Sequence, residues 1–173
     1  MAKAEGTRPK ISRPVATAVA QGRRTPRVVM VSANAYPVMG GVETHIHEVA
    51  PRIAAAGFDV TVLTTDRSGE LPERDTDQGV RVVRVRARPA DRDYYFAPRI
   101  ARYVDHGRWD LIHCQGYHTL VAPVAMLAAY KSRTPYIVTF HSGGHPSRLR
   151  NSLRGVQQWL LRPLLGRAQK LIG

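Results

Sequence analysis

Continuous apolar stretches alternate along the chain with stretches in which apolar residues recur every three or four positions. The first pattern predicts buried β-strands, and the second predicts α-helices with one apolar face. Six strands are predicted, the last of which only begins before the chain ends: 27–33, 58–65, 80–88, 110–114, 136–140 and 170–173. Four helices are predicted between them: 41–56, 97–106, 120–130 and 149–165.

The other elements are organised around a glycine pair, Gly40-Gly41, between the first strand and the first helix. Apolar residues follow the pair at helical spacing: Val42, Ile46, Val49 and Ile53. Glycine lets the backbone approach a ligand because it has no Cβ. The first turn of a helix also has unpaired N–H groups, which suit a phosphate or a sugar hydroxyl. Taken alone, however, the pair is better explained by the turn that it makes.

The alternation of strands and helices predicts an α/β fold, with a doubly wound, Rossmann-like parallel sheet and right-handed crossovers. The strand order 3-2-1-4-5 is the expected one. The third strand is expected at an edge with one face in solvent, because Arg84, Arg86 and Arg88 alternate there with apolar residues. Residues 66–79, before that strand, are expected to form a polar loop.

Ligands bind to doubly wound sheets outside the carboxyl ends of the strands, where the strand order reverses. The loops after strands one, four and five emerge at that end, and they carry Gly40-Gly41, residues 115–118 and residues 141–145. We therefore expect these three loops, which are distant in the sequence, to meet around one cleft. His141 is the leading candidate side chain there, and a contact with the local backbone is the alternative for it.

Four other residues, three histidines and one cysteine, are explained better by structure than by chemistry. His113 lies inside the fourth strand and is expected to be a hydrogen-bonded core residue. Cys114 has no base near it in the sequence, so a buried thiol is expected. His45 and His47 lie two positions apart on a helix and do not face each other, so no metal pair is expected there.

The charge of the chain invites anionic partners but does not demand them. The 173 residues carry a formal net charge of +13, which suits nucleic acid, anionic lipid or phosphorylated ligands. No basic patch interleaved with aromatic residues, of the kind that binds single strands, is present. An arginine-rich surface is therefore the favoured explanation, and nucleic acid is not expected as a partner.

The period of the apolar residues divides the chain in two. Residues 1–26 mix alanine, proline and basic residues without any period, and they are expected to form a disordered basic tail. Residues 27–173 are expected to form one domain. No secretory signal and no apolar run long enough to span a membrane are found, so a cytoplasmic protein is expected.

Four stretches in this order resemble the N-terminal domain of the retaining family-4 glycosyltransferases, which have the GT-B fold. They are Gly40-Gly41-Val42-Glu43-Thr44-His45 after strand one, Ala55-Ala56-Gly57-Phe58-Asp59-Val60 into strand two, Trp109-Asp110-Leu111-Ile112-His113 in strand four and Val138-Thr139-Phe140-His141 closing strand five. The resemblance covers about 27–173.

The resemblance implies transfer of a sugar from a nucleotide-sugar donor to an acceptor with retention of configuration. It implies that Gly40 and Gly41 approach the donor phosphates and sugar, and that His141 touches the transferred sugar as the catalytic candidate. This half of such an enzyme mainly receives the acceptor. The residues expected on the acceptor side are Glu43, His45, Gln115, Tyr117 and His118, although His118 equally fits a plain loop position.

The partners that the resemblance implies are a nucleotide-sugar as co-substrate and a glycan, lipid or small-molecule acceptor, with no metal or other cofactor. A lipid acceptor would bring the protein to the inner face of a membrane. The last helix, whose arginines flank an apolar stripe, is compatible with a peripheral contact with anionic lipid, although packing on the sheet is the preferred interpretation.

One part of the family pattern is missing from this sequence. The second domain of the family carries most of the nucleotide site and a pair of glutamates eight positions apart. The glutamates of this chain show no pair with that spacing: Glu5, Glu43, Glu48, Glu70 and Glu73. We therefore expect the chain to be the acceptor-side half of the enzyme, with little or no transferase activity by itself.

Two other classes of function compete with glycosyl transfer. An NAD-type oxidoreductase domain is favoured by Asp66, about 25 residues after Gly41, where an acid that binds ribose would lie. Against it, the sequence has no G-x-G-x-x-G, and the loop before Gly40 is too long for the tight turn of that motif. A non-catalytic module that binds a sugar or a nucleotide is the other alternative.

Overall fold

A computed structural model describes residues 24–90, 95–117, 119–141 and 148–173, with the backbone alone at residues 148–154, 156 and 158. Seven strands are formed in these ranges: β1 (Arg27–Val31), β2 (Asp59–Asp66), β3 (Arg74–Asp77), β4 (Val80–Arg86), β5 (Leu111–Gln115), β6 (Tyr136–Thr139) and β7 (Lys170–Ile172). Four helices accompany them: α1 (Gly41–Ala55), α2 (Arg99–His106), α3 (Val121–Ser132) and α4 (Arg148–Leu165).

All seven strands belong to one sheet, in the order β3-β4-β2-β1-β5-β6-β7. The five strands from β4 to β6 in this order correspond to the predicted order 3-2-1-4-5, which is therefore confirmed. Every neighbouring pair in the sheet is parallel except β3 and β4. The strand predicted to begin at the end of the chain also forms, because β7 pairs with β6.

The predicted polar loop 66–79 contains a strand that the sequence pattern did not reveal. Arg74–Asp77 pairs antiparallel with β4, with Asp77 opposite Val80. The four residues of β3 are all polar, so they give no apolar period to detect. Because β3 lies outside β4, the third predicted strand is not at the sheet edge, and that prediction was wrong.

The exposed arginine face predicted for the same strand is wrong at Arg84, which is only 4% exposed. Its Nη1 donates to Asp75 Oδ2 at 3.0 Å and its Nη2 donates to the carbonyl of Tyr36 at 2.7 Å. The loop after β1 therefore covers this part of β4, and the guanidinium joins that loop to β3. Arg86, two positions on, stays exposed as predicted.

The core consists of two layers, one on each face of the sheet. Val29 and Val31 of β1 point into the layer under α2 and α3, whereas Val28 and Met30 point into the layer under α1. Four of the five residues of β1 are buried, as a strand covered on both faces requires. This arrangement confirms the doubly wound α/β fold. Among the described helices, none is long and apolar enough to cross a bilayer.

The predicted tail lies outside the described residues except for its last three, 24–26. Arg24 makes two hydrogen bonds to the carboxylate of Asp110, at 2.7 and 2.6 Å, so the described part of the tail is tied to the start of β5. Cys114 is fully buried, and burial raises the pKa of its thiol to about 12. The expected inert structural thiol is therefore confirmed.

His113 is the buried histidine of the core that the sequence predicted. It lies in β5 with 7% of its surface exposed, and its Nε2 is 2.8 Å from the hydroxyl of Thr139 on β6. Burial, together with the nearby His45 and His141, lowers the pKa of His113 from about 6.5 to about 4. The imidazole is therefore neutral in the folded protein at neutral pH.

Replacing Arg84 by methionine tests the contact between β4 and the loop after β1. Arg84→Met leaves the carbonyl of Tyr36 without its donor and is expected to lower the free energy of unfolding by about 2 kcal/mol. Arg86→Met removes one exposed hydrogen bond from the same strand face and is expected to change it by less than about 0.5 kcal/mol. Urea unfolding followed by circular dichroism measures both, and equal losses would contradict the assignment.

The low pKa of His113 predicts how stability depends on pH. Between about pH 6.5 and pH 4 the unfolded chain holds a proton on His113 that the folded chain does not, so stability falls as the pH is lowered. The expected loss from this residue between about pH 7 and pH 5 is about 2 kcal/mol. His113→Gln should lack it. Urea unfolding of both proteins at the two pH values is the measurement, and the same pH dependence in both would contradict the prediction.

Candidate functional site

A cavity of about 560 Å³ opens at the carboxyl edge of the sheet. Its walls come from the segments that follow β1, β5 and β6, together with the first turn of α1. The lining residues are Ser32, Ala33, Gly41, Val42, Glu43, Gln115, Gly116, Thr119, Phe140 and His141. The three loops that are distant in the sequence therefore meet around one cleft, as predicted.

The first turn of α1 faces this cavity without a side-chain cap. Gly40 is the N-cap residue in an extended conformation, with φ −174°, and no described side chain accepts a hydrogen bond from the helix start. The first backbone bond of the helix runs from Thr44 N–H to the Gly40 carbonyl at 2.9 Å. No described residue is found to accept a hydrogen bond from the N–H groups of Gly41 and Val42, which lie in the first turn at the positive end of the helix.

The two glycines of the pair differ in what surrounds them. A Cβ on Gly40 would collide with the carboxylate of Glu43, whereas a Cβ on Gly41 would meet no atom within 4 Å. Neither residue has a positive φ, so the turn itself does not demand glycine. At Gly41 an alanine would suit the helix better, yet its methyl group would occupy the space at the cavity wall. Neither the turn nor crowding therefore requires glycine at position 41.

The carboxylate of Glu43 folds back over the start of α1 beside Gly40. Negative charge at this end of a helix is favourable because it meets the positive end of the helix dipole. Glu43 also lines the cavity and is half-buried. A carboxylate accepts hydrogen bonds from hydroxyl groups, so Glu43 gives the cavity wall an acceptor.

His141 reaches the cavity from the end of β6 and is connected to the core by side chains. Its Nε2 lies 2.8 Å from Oε1 of Gln115, and Nε2 of Gln115 lies 3.2 Å from Nε2 of His113. His113 in turn contacts the hydroxyl of Thr139. The pairing of Gln115 with Thr139 across β5 and β6 brings these residues together. His141 therefore has a polar side-chain partner, whereas the alternative interpretation was a contact with the local backbone.

His45 lies beside His141 but does not line the cavity. The two rings meet edge to face, with their centroids 5.2 Å apart. His47 is turned away from them: it stacks on Tyr36 and its Nδ1 is 2.6 Å from Asp77 Oδ2. His45 and His47 therefore have separate surroundings, as expected. In the ranges that the structure describes, no group of three acidic, histidine or cysteine side chains is placed to hold a metal.

Among the described residues expected on the acceptor side, Tyr117 does not line the cavity, and neither does His45. Tyr117 is 5% exposed and its ring packs edge-on against Phe140, 5.3 Å between centroids, so it belongs to the core. This loop turns inward after β5, which the sequence did not indicate. His118 and residues 142–147 lie outside the described residues. Gly40, which is the N-cap residue of α1, is also not among the residues that line the cavity.

The cavity lining includes residues to which the sequence reasoning assigned no ligand role, among them Ser32, Thr119 and Phe140. Ser32 is a buried polar residue directly after an apolar strand, and Phe140 directly precedes His141. Their positions at the carboxyl ends of β1 and β6 were a usable signal. Thr119 carried no comparable signal.

Several relatives are similar to this chain over much of its length. A phosphatidyl-myo-inositol mannosyltransferase of Mycolicibacterium smegmatis is 28% identical over 157 residues, which cover 85% of this chain and 37% of the relative. A GDP-mannose:cellobiosyl-diphosphopolyprenol alpha-mannosyltransferase of Komagataeibacter xylinus is 33% identical over 98 residues, which cover 54% of this chain and 24% of the relative. A glycogen synthase of Mycobacterium tuberculosis is 27% identical over 169 residues, which cover 79% of this chain and 40% of the relative.

The fold has a counterpart among solved structures. The crystal structure of HepE from Anabaena in complex with UDP-glucose superposes with a TM-score of 0.56 at 16% identity, over 84% of this chain and 36% of that one. The chain thus spans about two fifths or less of the length of each of these proteins. Its architecture is that of one half of a GT-B glycosyltransferase.

The sequence model of Glycosyltransferase Family 4 matches residues 39–173. The match begins one residue before the glycine pair. It therefore includes α1 and the segments after β5 and β6 that line the cavity. Since it covers well over half of the chain and agrees with the fold and the relatives, the protein belongs to glycosyltransferase family 4.

Proposed function

We propose that this chain forms the acceptor-side half of a retaining glycosyltransferase, which moves a sugar from a nucleotide-sugar donor to a glycan, lipid or small-molecule acceptor. The observation that carries the proposal is the uncapped start of α1 at a cavity wall, where Gly41 leaves space for a ligand opposite His141. Helix N-termini of this kind bind phosphate groups. The complex of HepE with UDP-glucose supports a donor of the same class.

The two sides of the cavity suit the two parts of such a donor. The N–H groups at Gly41 and Val42 would face the phosphates, whose negative charge grows as the sugar leaves. Glu43 and His141 would contact hydroxyl groups of the donor sugar or the acceptor, and Gln115 and His45 would support His141. Gly40 contributes by leaving room for the Glu43 carboxylate.

The described wall of the cavity lacks the cationic side chain that a leaving diphosphate needs. None of the described lining residues is lysine or arginine, and an uncapped helix supplies only part of the required positive charge. We infer that a donor-binding domain outside this chain supplies the rest, as the family resemblance implies. The chain by itself is then a binding module with little turnover, and the transfer needs no metal ion.

The acceptor is proposed to be lipid-linked. The names of two relatives describe acceptors of this kind, a phosphatidyl-myo-inositol and a diphosphopolyprenol, whereas a third relative is a glycogen synthase. The net charge of +13 would favour a peripheral contact with the anionic inner face of a membrane. We propose that the protein works in the cytoplasm, at that face of the membrane.

An NAD-binding domain is not supported by the surroundings of Asp66. Burial alone would raise the pKa of its carboxyl group, but hydrogen bonds from Ser68 and from the backbone N–H groups of residues 68, 69 and 71 hold the pKa below its usual value. The two oxygens are engaged by Ser68 and Leu71 and do not line the cavity. Asp66 therefore organises its own loop and is not placed to bind a ribose.

Substituting Gly41 by alanine tests the ligand site. The added methyl group projects into free space, so Gly41→Ala is expected to keep the stability of the protein while the affinity for UDP-glucose or GDP-mannose falls about tenfold or more. Calorimetric titration measures the affinity. Gly155→Ala is the matched control, because its methyl group on α4 also meets no atom within 4 Å and Gly155 is not among the residues that line the cavity. Equal affinity of both variants, or tight binding of NAD by the parent chain, would contradict the proposal.

Turnover tests the proposed division of labour between two domains. A protein that carries this chain together with its donor-binding domain is expected to transfer sugar at least about a hundredfold faster than residues 1–173 alone, because the diphosphate then meets its cationic partner. Radiolabelled sugar transferred to a lipid extract is the measurement, and EDTA is expected to leave the rate unchanged. Robust transfer by the 173-residue chain would refute the idea.

A further inference from the structure

A second cavity, of about 590 Å³, lies on the face of the sheet that α2 covers. Its walls come from β3, β4 and α2, and they include Arg27 at the amino end of β1 and Trp109 just before β5. The two described linings have no residue in common. A cavity of this size can enclose a whole small molecule. We call this space the arginine cavity.

The described lining of the arginine cavity carries far more positive than negative charge. Four guanidinium groups and one imidazole share it with a single carboxylate: Arg27, Arg74, Arg99, Arg102, His106 and Glu73. Two elements bring the cations together. Arg74 on β3 lies opposite Val83 of β4, so both project from the same face of the sheet. On α2, Arg102 and His106 follow Arg99 by three and seven positions and share one side of the helix.

Two of the four arginines already have a carboxylate partner. Nη2 of Arg99 lies 2.9 Å from Oε1 of Glu73, and this ion pair joins α2 to the segment that begins β3. Nε of Arg27 lies 3.3 Å from Oδ2 of Asp59, and its guanidinium lies over the ring of Trp109, 4.6 Å from the centroid. These contacts hold two walls of the cavity in place and neutralise half of its guanidinium charge.

The other two arginines keep their charge uncompensated. Among the described residues, no carboxylate forms an ion pair with Arg74 or Arg102, and both side chains are exposed. Like charges that line one cavity concentrate the positive potential and attract an anion. A phosphate group carries about −1.5 to −2 charges at neutral pH, which matches two guanidinium groups. The planar guanidinium also fits the phosphate oxygens with two parallel hydrogen bonds.

We propose that the arginine cavity is a second binding site, for a small soluble phosphorylated compound whose phosphate is held by Arg74 and Arg102. The volume suits a molecule that enters whole, whereas the flat surface of a bilayer would not fill it. Glu73 limits the affinity, because its carboxylate repels the phosphate and occupies Arg99. Since the site lies away from the cavity at the carboxyl edge, its ligand is an additional one and neither the donor nor the acceptor of the transfer.

Calorimetric titration of the 173-residue chain with inorganic pyrophosphate at physiological salt tests the site. Arg74→Gln and Arg102→Gln are each expected to weaken binding about tenfold, because each removes a charged donor. Arg86→Gln is the matched control: it also removes one exposed arginine, which donates to the carbonyl of Gly69 and lines neither cavity. Its affinity should stay unchanged. Equal weakening in all three variants would show attraction to net charge alone and overturn the proposal.

Removing the carboxylate of the lining should act in the opposite direction. Glu73→Gln takes away the repulsion and releases Arg99 for the ligand, so pyrophosphate is expected to bind about threefold tighter or more. A general loss of structure cannot produce tighter binding, so this variant distinguishes a charge effect from a folding defect. Weaker or unchanged binding would contradict the assignment of the ligand to this cavity.

The indole of Trp109 reports where the probe binds. The chain has two tryptophans, so the spectrum of Trp159→Phe assigns the two indole N–H signals. Pyrophosphate is expected to shift the signal of Trp109, whose Nε1 donates to the carbonyl of Tyr103 at 3.3 Å beside the arginine cavity. An unmoved Trp109 signal at saturation would overturn the proposal.

Two further outcomes separate this inference from its alternatives. Binding of pyrophosphate that is lost in Gly41→Ala and kept in Arg102→Gln would place the anion at the start of α1, which would refute the arginine cavity and support the proposed function. Anionic phospholipid vesicles that bind in a way dependent on Arg102, without any binding of pyrophosphate, would identify a membrane surface and also refute it. Loss in Arg102→Gln with full binding by Gly41→Ala is the expected result.

Discussion

The parallel, in-register pairing of β1, β5 and β6 is the constraint on which the site depends. These strands are short and almost wholly buried, because helices cover both faces of the sheet. Burial fixes their register, since a slip by one residue would turn every apolar side chain to the wrong face. With Val31 beside Cys114 and Gln115 beside Thr139, the three strands end at one level. The segments that follow them must therefore share one rim.

The described residues at this rim offer polar groups of several chemical kinds. They offer backbone N–H groups at an uncapped helix start, together with a carboxylate, an amide and an imidazole, and the described lining contains no lysine or arginine. A carboxylate accepts hydrogen bonds from hydroxyl groups, and an uncapped helix start suits a negatively charged group. The net positive charge of the chain comes from residues outside this described lining. This chain spans two fifths or less of the length of the relatives that it matches.

The opposite end of the sheet supports the loop that carries the glycine pair. The buried guanidinium of Arg84 holds the carbonyl of Tyr36, and His47 of α1 contacts Asp77 at the end of β3. The ring of Tyr36 stacks on His47 with 4.0 Å between centroids. The β3–β4 hairpin, whose residues do not line the cavity, thus anchors both the loop before α1 and the helix itself. Polar contacts between distant segments position this wall of the cavity, and apolar packing positions the strands.

The spacing of apolar residues by itself determined six of the strands, the four helices and the central strand order. The six strands are β1, β2, β4, β5, β6 and β7. This was possible because a buried strand and an amphipathic helix each have a characteristic local spacing of apolar residues. The predicted strand order also indicated that Gly41, Gln115 and His141 lie at one edge of the sheet. The tertiary structure decided the rest: the polar strand β3, the burial of Arg84, the inward ring of Tyr117 and the different surroundings of Gly40 and Gly41. Each of these depends on a partner far away in the sequence. A local pattern can state that a residue is polar, but only the packed chain determines which group stands opposite it.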